Sequence, residues 1–135
     1  MLYLTRKEHF NAAHRLFNSK WTDEKNEEVF GKCSNKHFHG HNYDLFVTVK
    51  GEPDPDTGLI VNAKELSATI KKAVVDKLDH KNLNLEIGFL EGIIPSTENL
   101  ARAIWLELEP HILGCRLHCV RLFETENIFA EYYGE

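Results

Sequence analysis

The chain has 135 residues, 42% apolar and 27% charged, with 16 Lys+Arg against 21 Asp+Glu for a formal net charge of −5. That balance excludes intrinsic disorder and disfavours a nucleic-acid partner, and no run nears the roughly 18 apolar residues of a membrane span. The length predicts one domain, residues 1–135, and three cysteines without a CxxC pair point to a reducing, cytoplasmic setting. The start, MLYLTRKEHF, lacks the basic residues and apolar stretch of a secretory signal.

Residues 2–17 read as a long strand, with Phe10, Ala12, His14 and Leu16 on one parity. The charged stretch 18–32 reads as a solvated loop or short helix. A second strand spans about 41–52, where LFVTV is rich in β-branched and aromatic residues, and PDPDTG closes it as a turn. Asn62 followed by Glu65 resembles a capping box. The helix it opens, over 63–78, carries Leu66, Ile70, Ala73 and Val74 on one face. Residues 79–95 show no periodicity, and such a long connection is often functional. A second helix starts at Ser96-Thr97 and carries Leu100, Ala101, Ile104, Trp105 and Leu108 up to Pro110. RLHCVRLFET and IFAEYY then form two strands. The order ββααββ predicts an α+β fold, an antiparallel sheet with its helices on one face. The other face is left wet or is covered by another subunit.

Eight histidines stand out, and His37, His39 and His41 share one parity. Imidazoles two apart on a strand project from the same face, about 6–7 Å apart at the backbone, and can converge on one metal ion. His14 is the natural third ligand if the first two strands pair, whereas any two of the other three could ligate, since they share parity. Gly40 between His39 and His41 clears the opposite face for a backbone or ligand. Cys33 fits three roles: a fourth ligand, a reactive thiolate or a buried apolar residue. Cys115 and Cys119 read as small buried residues on one face of a strand. In Asp79-His80 a carboxylate adjoins an imidazole, a pairing that supports proton transfer. Glu124 lies on the core-facing parity of Val120 and Leu122, where an acid needs a cation or a ligand donor.

Together FNAAHRL, Cys33 separated by five residues from HGHNY, GEPDPDTGLI, LDHKNLN, PSTEN and ETEN…YYGE resemble the 6-pyruvoyltetrahydropterin synthase family over nearly the whole chain. The resemblance implies a tunnelling fold, a four-stranded antiparallel sheet with two antiparallel helices on one face. It also implies sheets closing into trimeric barrels and a homohexamer of two trimers. The implied reaction converts 7,8-dihydroneopterin triphosphate to 6-pyruvoyl-tetrahydropterin with loss of triphosphate, using Zn²⁺ and no nicotinamide. Matched motif by motif, His14, His39 and His41 would ligate zinc, leaving His37 aside. Cys33 would be the general base, and Asp79 and His80 a partner dyad from a neighbouring subunit. Glu124 would anchor the pterin, with Ser96, Thr97 and Glu98 a further part of its pocket. A relative, 6-carboxytetrahydropterin synthase, shares fold, metal and substrate but releases acetaldehyde. There three residues usually separate the cysteine from HGH, and the five here favour the pyruvoyl branch. Intact Cys33, Asp79 and His80 argue against a catalytically silent zinc- or pterin-binding module.

Overall fold

The computed structural model describes residues 1–135 and orders them as β1 (Leu2–His14), α1 (Asp23–Phe30), β2 (His39–Gly51), α2 (Ala63–Ile70), β3 (Lys81–Asn82), α3 (Thr97–Leu108), β4 (Arg116–Thr125) and β5 (Ile128–Tyr132). The sheet order is β3-β1-β2-β4-β5, with every pairing antiparallel except β1 with β3. The expected α+β architecture holds, four antiparallel strands with helices on one face. To these the structure adds the two-residue β3, inside the stretch 79–95 that shows no periodicity. Its Lys81 and Asn82 lie beside Ala12 and Ala13, a pairing too short to leave a period in the sequence.

Alternating burial drives β1 and β2 together. Glu8, Phe10, Ala12 and His14 of β1 and Tyr43, Leu45, Val47 and Val49 of β2 turn toward the helices. One register holds the strands from Leu2 opposite Gly51 to His14 opposite His39. Leu66, Ile70, Val74 and Leu78 and, from α3, Leu100, Ile104 and Leu108 complete a single 24-residue core. Each such side chain contributes about 1.5–3 kcal/mol by leaving water. Asn62 caps α2 by accepting from the Lys64 and Glu65 amides, and Ser96 caps α3 by accepting from Asn99.

Several boundaries differ from the sequence expectation. β1 ends at His14, not residue 17, because the backbone of Arg15 is taken by the Asn84 side chain and the Leu16 amide donates to the Cys33 carbonyl. β2 begins at His39, so both histidines of HGH lie within the ladder. Within 18–32 the helix alternative holds: Thr22 caps α1 by accepting from the Lys25 amide. α2 continues through a π-helical turn (Lys71–Val75) to Leu78, and this wider turn buries Ala73, Val74 and Val75 in succession. Cys115 precedes β4 rather than sharing a strand face with Cys119, and only Cys119 is buried.

No helix covers the opposite sheet face. It carries a Thr5–Thr48 hydroxyl hydrogen bond, a Phe46–Phe123–Phe129 ring cluster and an Arg121–Glu131 ion pair. No helix is long and apolar enough to cross a membrane.

Candidate metal centre and active site

The strand register assembles the central cluster. His14 ends β1 opposite His39, and His41 follows two residues later on the same face. The ring centroids lie 4.6 Å apart for His14–His39, 5.1 Å for His14–His41 and 4.9 Å for His39–His41. One nitrogen from each ring lies within 4.8 Å of the other two. His37 is exposed and outside the cluster, so of the three histidines on one parity the structure brings together His39 and His41. Gly40 needs no special clearance within the chain, since an added Cβ would meet only the Ala12 carbonyl at an ordinary 3.5 Å.

The donor set suits zinc. His14 is fully buried, and its Nδ1 donates to the Pro95 carbonyl at 2.8 Å, which leaves Nε2 as a free lone pair facing the cluster. His14 Nε2, both ring nitrogens of His39 and His41 Nε2 are buried without hydrogen-bond partners. Burial, with the neighbouring imidazoles adding, lowers the pKa of His39. Burial likewise lowers that of His41, against the opposing charge of Glu124. Both rings therefore favour the neutral form a metal requires. Orphaned nitrogens in a dry site are costly unless something binds them, and three neutral imidazoles match the ligand set of an open catalytic zinc site.

Glu124 belongs to this cluster. Its Oε1 lies 3.3 Å from His14 Nε2 and 3.4 Å from His41 Nε2. As a carboxylate, the acid of LFETE can accept from N–H donors at the edge of the cluster. The turn 95–98 reaches the same place through Pro95, whose carbonyl orients His14. Its Thr97 is buried, Ser96 is committed to capping α3, and Glu98 is exposed.

Cys33 is a half-buried free thiol on a 3₁₀ turn (Gly31–Ser34). That turn is tied to the residues after His14 twice, by Leu16 N donating to Cys33 O at 2.7 Å and by Arg15 Nη2 donating to Ser34 O at 2.9 Å. Cys33 is not one of the residues grouped around the histidine cluster, so it is not a fourth ligand there.

Asp79 and His80 form a pair of their own, with His80 Nδ1 3.0 Å from Asp79 Oδ2. The Asn11 amide donates to Asp79 Oδ1, and the His80 amide donates to the Asn11 carbonyl. The hydrogen bond from Asn11 is the main reason the Asp79 carboxyl is held below its usual range. His80 adopts φ 61°, a left-handed conformation rare outside glycine. Neither residue hydrogen-bonds to the histidine cluster of its own chain.

Two contributors escape the sequence reading. Tyr43, fully buried, places its hydroxyl 3.4 Å from His14 Nδ1, and Pro95 acts through a backbone carbonyl. The parity of HGHNY, which puts Tyr43 with His39 and His41, could have found the first; no side-chain pattern marks the second.

A family model described as 6-pyruvoyl tetrahydropterin synthase matches residues 3–135. The 6-pyruvoyl tetrahydrobiopterin synthase of Dictyostelium discoideum is 46% identical over 132 residues, 98% of this chain and 96% of its own. The 6-carboxy-5,6,7,8-tetrahydropterin synthase of Bacillus subtilis is 30% identical over 136 residues, 96% of this chain and 83% of its own. The solved structure of Caenorhabditis elegans 6-pyruvoyl tetrahydropterin synthase superposes with a TM-score of 0.93 at 32% identity, covering 99% of this chain and 96% of the other. By sequence and by fold, this chain belongs to the 6-pyruvoyl tetrahydropterin synthase family.

Proposed function

We propose that this chain is a zinc-dependent enzyme that converts 7,8-dihydroneopterin triphosphate to 6-pyruvoyl-tetrahydropterin, eliminating triphosphate. The observation that carries this reading is the convergence of His14, His39 and His41, dry and unpartnered, beside Glu124. Zinc held by these three histidines would supply Lewis-acid stabilisation of negative charge on the substrate's side-chain oxygens.

The remaining chemistry falls to the protein's own groups. Glu124 accepts from the amino and ring N–H donors of the pterin and fixes the ring, with the 96–98 turn as a further wall. Cys33, as thiolate, removes a carbon-bound proton from the side chain. Asp79 holds His80 through Nδ1, so Nε2 is left to give and take a proton. The electron pair freed at carbon expels triphosphate with cleavage of a C–O bond. Hydrogen lost from the side chain ends on the pterin ring, so no external oxidant or reductant takes part.

We read the dyad as serving a neighbouring subunit, in keeping with its bonding to Asn11 rather than to its own histidine cluster. The uncovered sheet face supports burial in a trimeric barrel, and a homohexamer in the cytoplasm completes the proposal. The carboxy-forming reaction is the second reading. The five-residue Cys33–His39 spacing and the higher identity to a pyruvoyl-branch relative favour the first. Incubation with dihydroneopterin triphosphate and mass spectrometry of the products decides. A pyruvoyl product is expected; a carboxy product with acetaldehyde, or no turnover, overturns the proposal.

A further inference from the structure

Beside the Cys33 turn lies a cavity of about 510 Å³ without a single apolar residue in its wall. Three cations border it, Arg15, Lys32 and Lys36, against two carboxylates, Asp23 and Glu27. The wall carries one more cation than carboxylate, on a chain of net charge −5. Lys36 is paired with Asp23 at 2.9 Å, whereas Lys32 is exposed and makes no ion pair.

Arg15 is the anchor of this wall, and the fold holds it rigidly. Its amide and carbonyl are both bound by Asn84, its guanidinium lies 3.8 Å over the Phe17 ring, and Nη2 donates to the Ser34 carbonyl. Nε is buried without a partner, and Nη2–Ser34 is the one hydrogen bond the guanidinium makes. An arginine fixed on three sides with most of its donors unused is organised to meet an anion with several acceptor oxygens.

The chain ties this wall to the chemistry. Arg15 directly follows His14, and Lys32 and Ser34, the two neighbours of Cys33, both line the cavity. A substrate whose side chain reaches Cys33 carries its phosphates only a few bonds further on.

We propose that Arg15 and Lys32, with Lys36 released from Asp23, form the subsite that holds the triphosphate of the substrate and stabilises it as it leaves. This rests on the function proposed above. Developing charge on the leaving group is the place where preorganised cations lower a barrier. The acids of the wall matter as well: Asp23 competes for Lys36, so the site binds a highly charged oligophosphate better than a single phosphate.

The test uses the full chain, inorganic tripolyphosphate and phosphate-free neopterin, titrated by calorimetry. Wild type is expected to bind tripolyphosphate with an affinity that falls as salt rises. Arg15→Gln and Lys32→Gln should each weaken it at least tenfold while neopterin binding is unchanged. Lys32 is exposed, so Lys32→Gln is informative even if Arg15→Gln fails to fold. Unaltered tripolyphosphate affinity in Lys32→Gln and in a folded Arg15→Gln overturns the subsite, as does equal weakening for neopterin. Turnover of dihydroneopterin triphosphate by wild type, followed alongside, tests the function separately: the subsite can fall while turnover stands, and turnover can fail while tripolyphosphate affinity still decides the subsite.

Discussion

Asn84, in the LDHKNLN segment, replaces a piece of β-sheet with a side chain. Where the β1 ladder stops, its Oδ1 accepts from the Arg15 amide at 2.9 Å and its Nδ2 donates to the Arg15 carbonyl at 3.0 Å, while Leu83 N donates to Ala13 O. Asn84→Ala leaves both main-chain groups of Arg15 unpaired in a half-buried setting. Two hydrogen bonds at about 0.5–1.5 kcal/mol each put the loss near 1–3 kcal/mol, or about 4–10 °C in Tm for a chain of this length. Asn84→Asp keeps the acceptor and loses the donor, and should lose about half as much. Urea and thermal unfolding at equal chain concentration measure both. A loss below about 0.5 kcal/mol for Asn84→Ala would mean that the residue after His14 needs no lateral support.

Cys33→Ala should retain its metal, since Cys33 is outside the histidine cluster, yet lose most triphosphate release. Full activity in a metal-loaded variant would sink the assignment of Cys33 as base. Asp79 predicts a pH effect: its carboxyl is depressed below the ordinary 3.8, chiefly by the Asn11 amide. Its contribution is therefore fully present above that value and lost as pH falls through the lower, folded one. Wild type should exceed Asp79→Asn in stability at neutral pH and lose that advantage below about pH 4. Denaturant titrations across pH check this, and a difference independent of pH would contradict it.

How legible the site is in the sequence varies with how local its causes are. His39 and His41 share a face because side chains alternate along a strand, and pairing with β1 brings in His14; period alone left His37 equally eligible, and the family resemblance set it aside. The core stripe of α2 was legible at Leu66, Ile70, Ala73 and Val74 but not at Val75 or Leu78, since the π-helical turn rotates the next positions and no composition marks it. β3, the Asn84 brace and the Pro95 carbonyl behind His14 were not legible. Each depends on main-chain hydrogen bonds between segments some 70 to 80 residues apart, which leave no periodic trace. Glu124 was marked by its parity as an acid in need of a partner, but its approach to two histidines follows from β2–β4 pairing. No sequence pattern marks Arg15; its unused donors show only once its neighbours are in place.

In the proposed function, turnover depends on a zinc ion held by His14, His39 and His41. Protein stripped with a chelator and restored stepwise should release triphosphate from dihydroneopterin triphosphate in proportion to zinc bound, measured per chain by elemental analysis. His39→Ala should show neither zinc nor release. Full release by the stripped protein, or one zinc per chain retained by His39→Ala, would contradict the account.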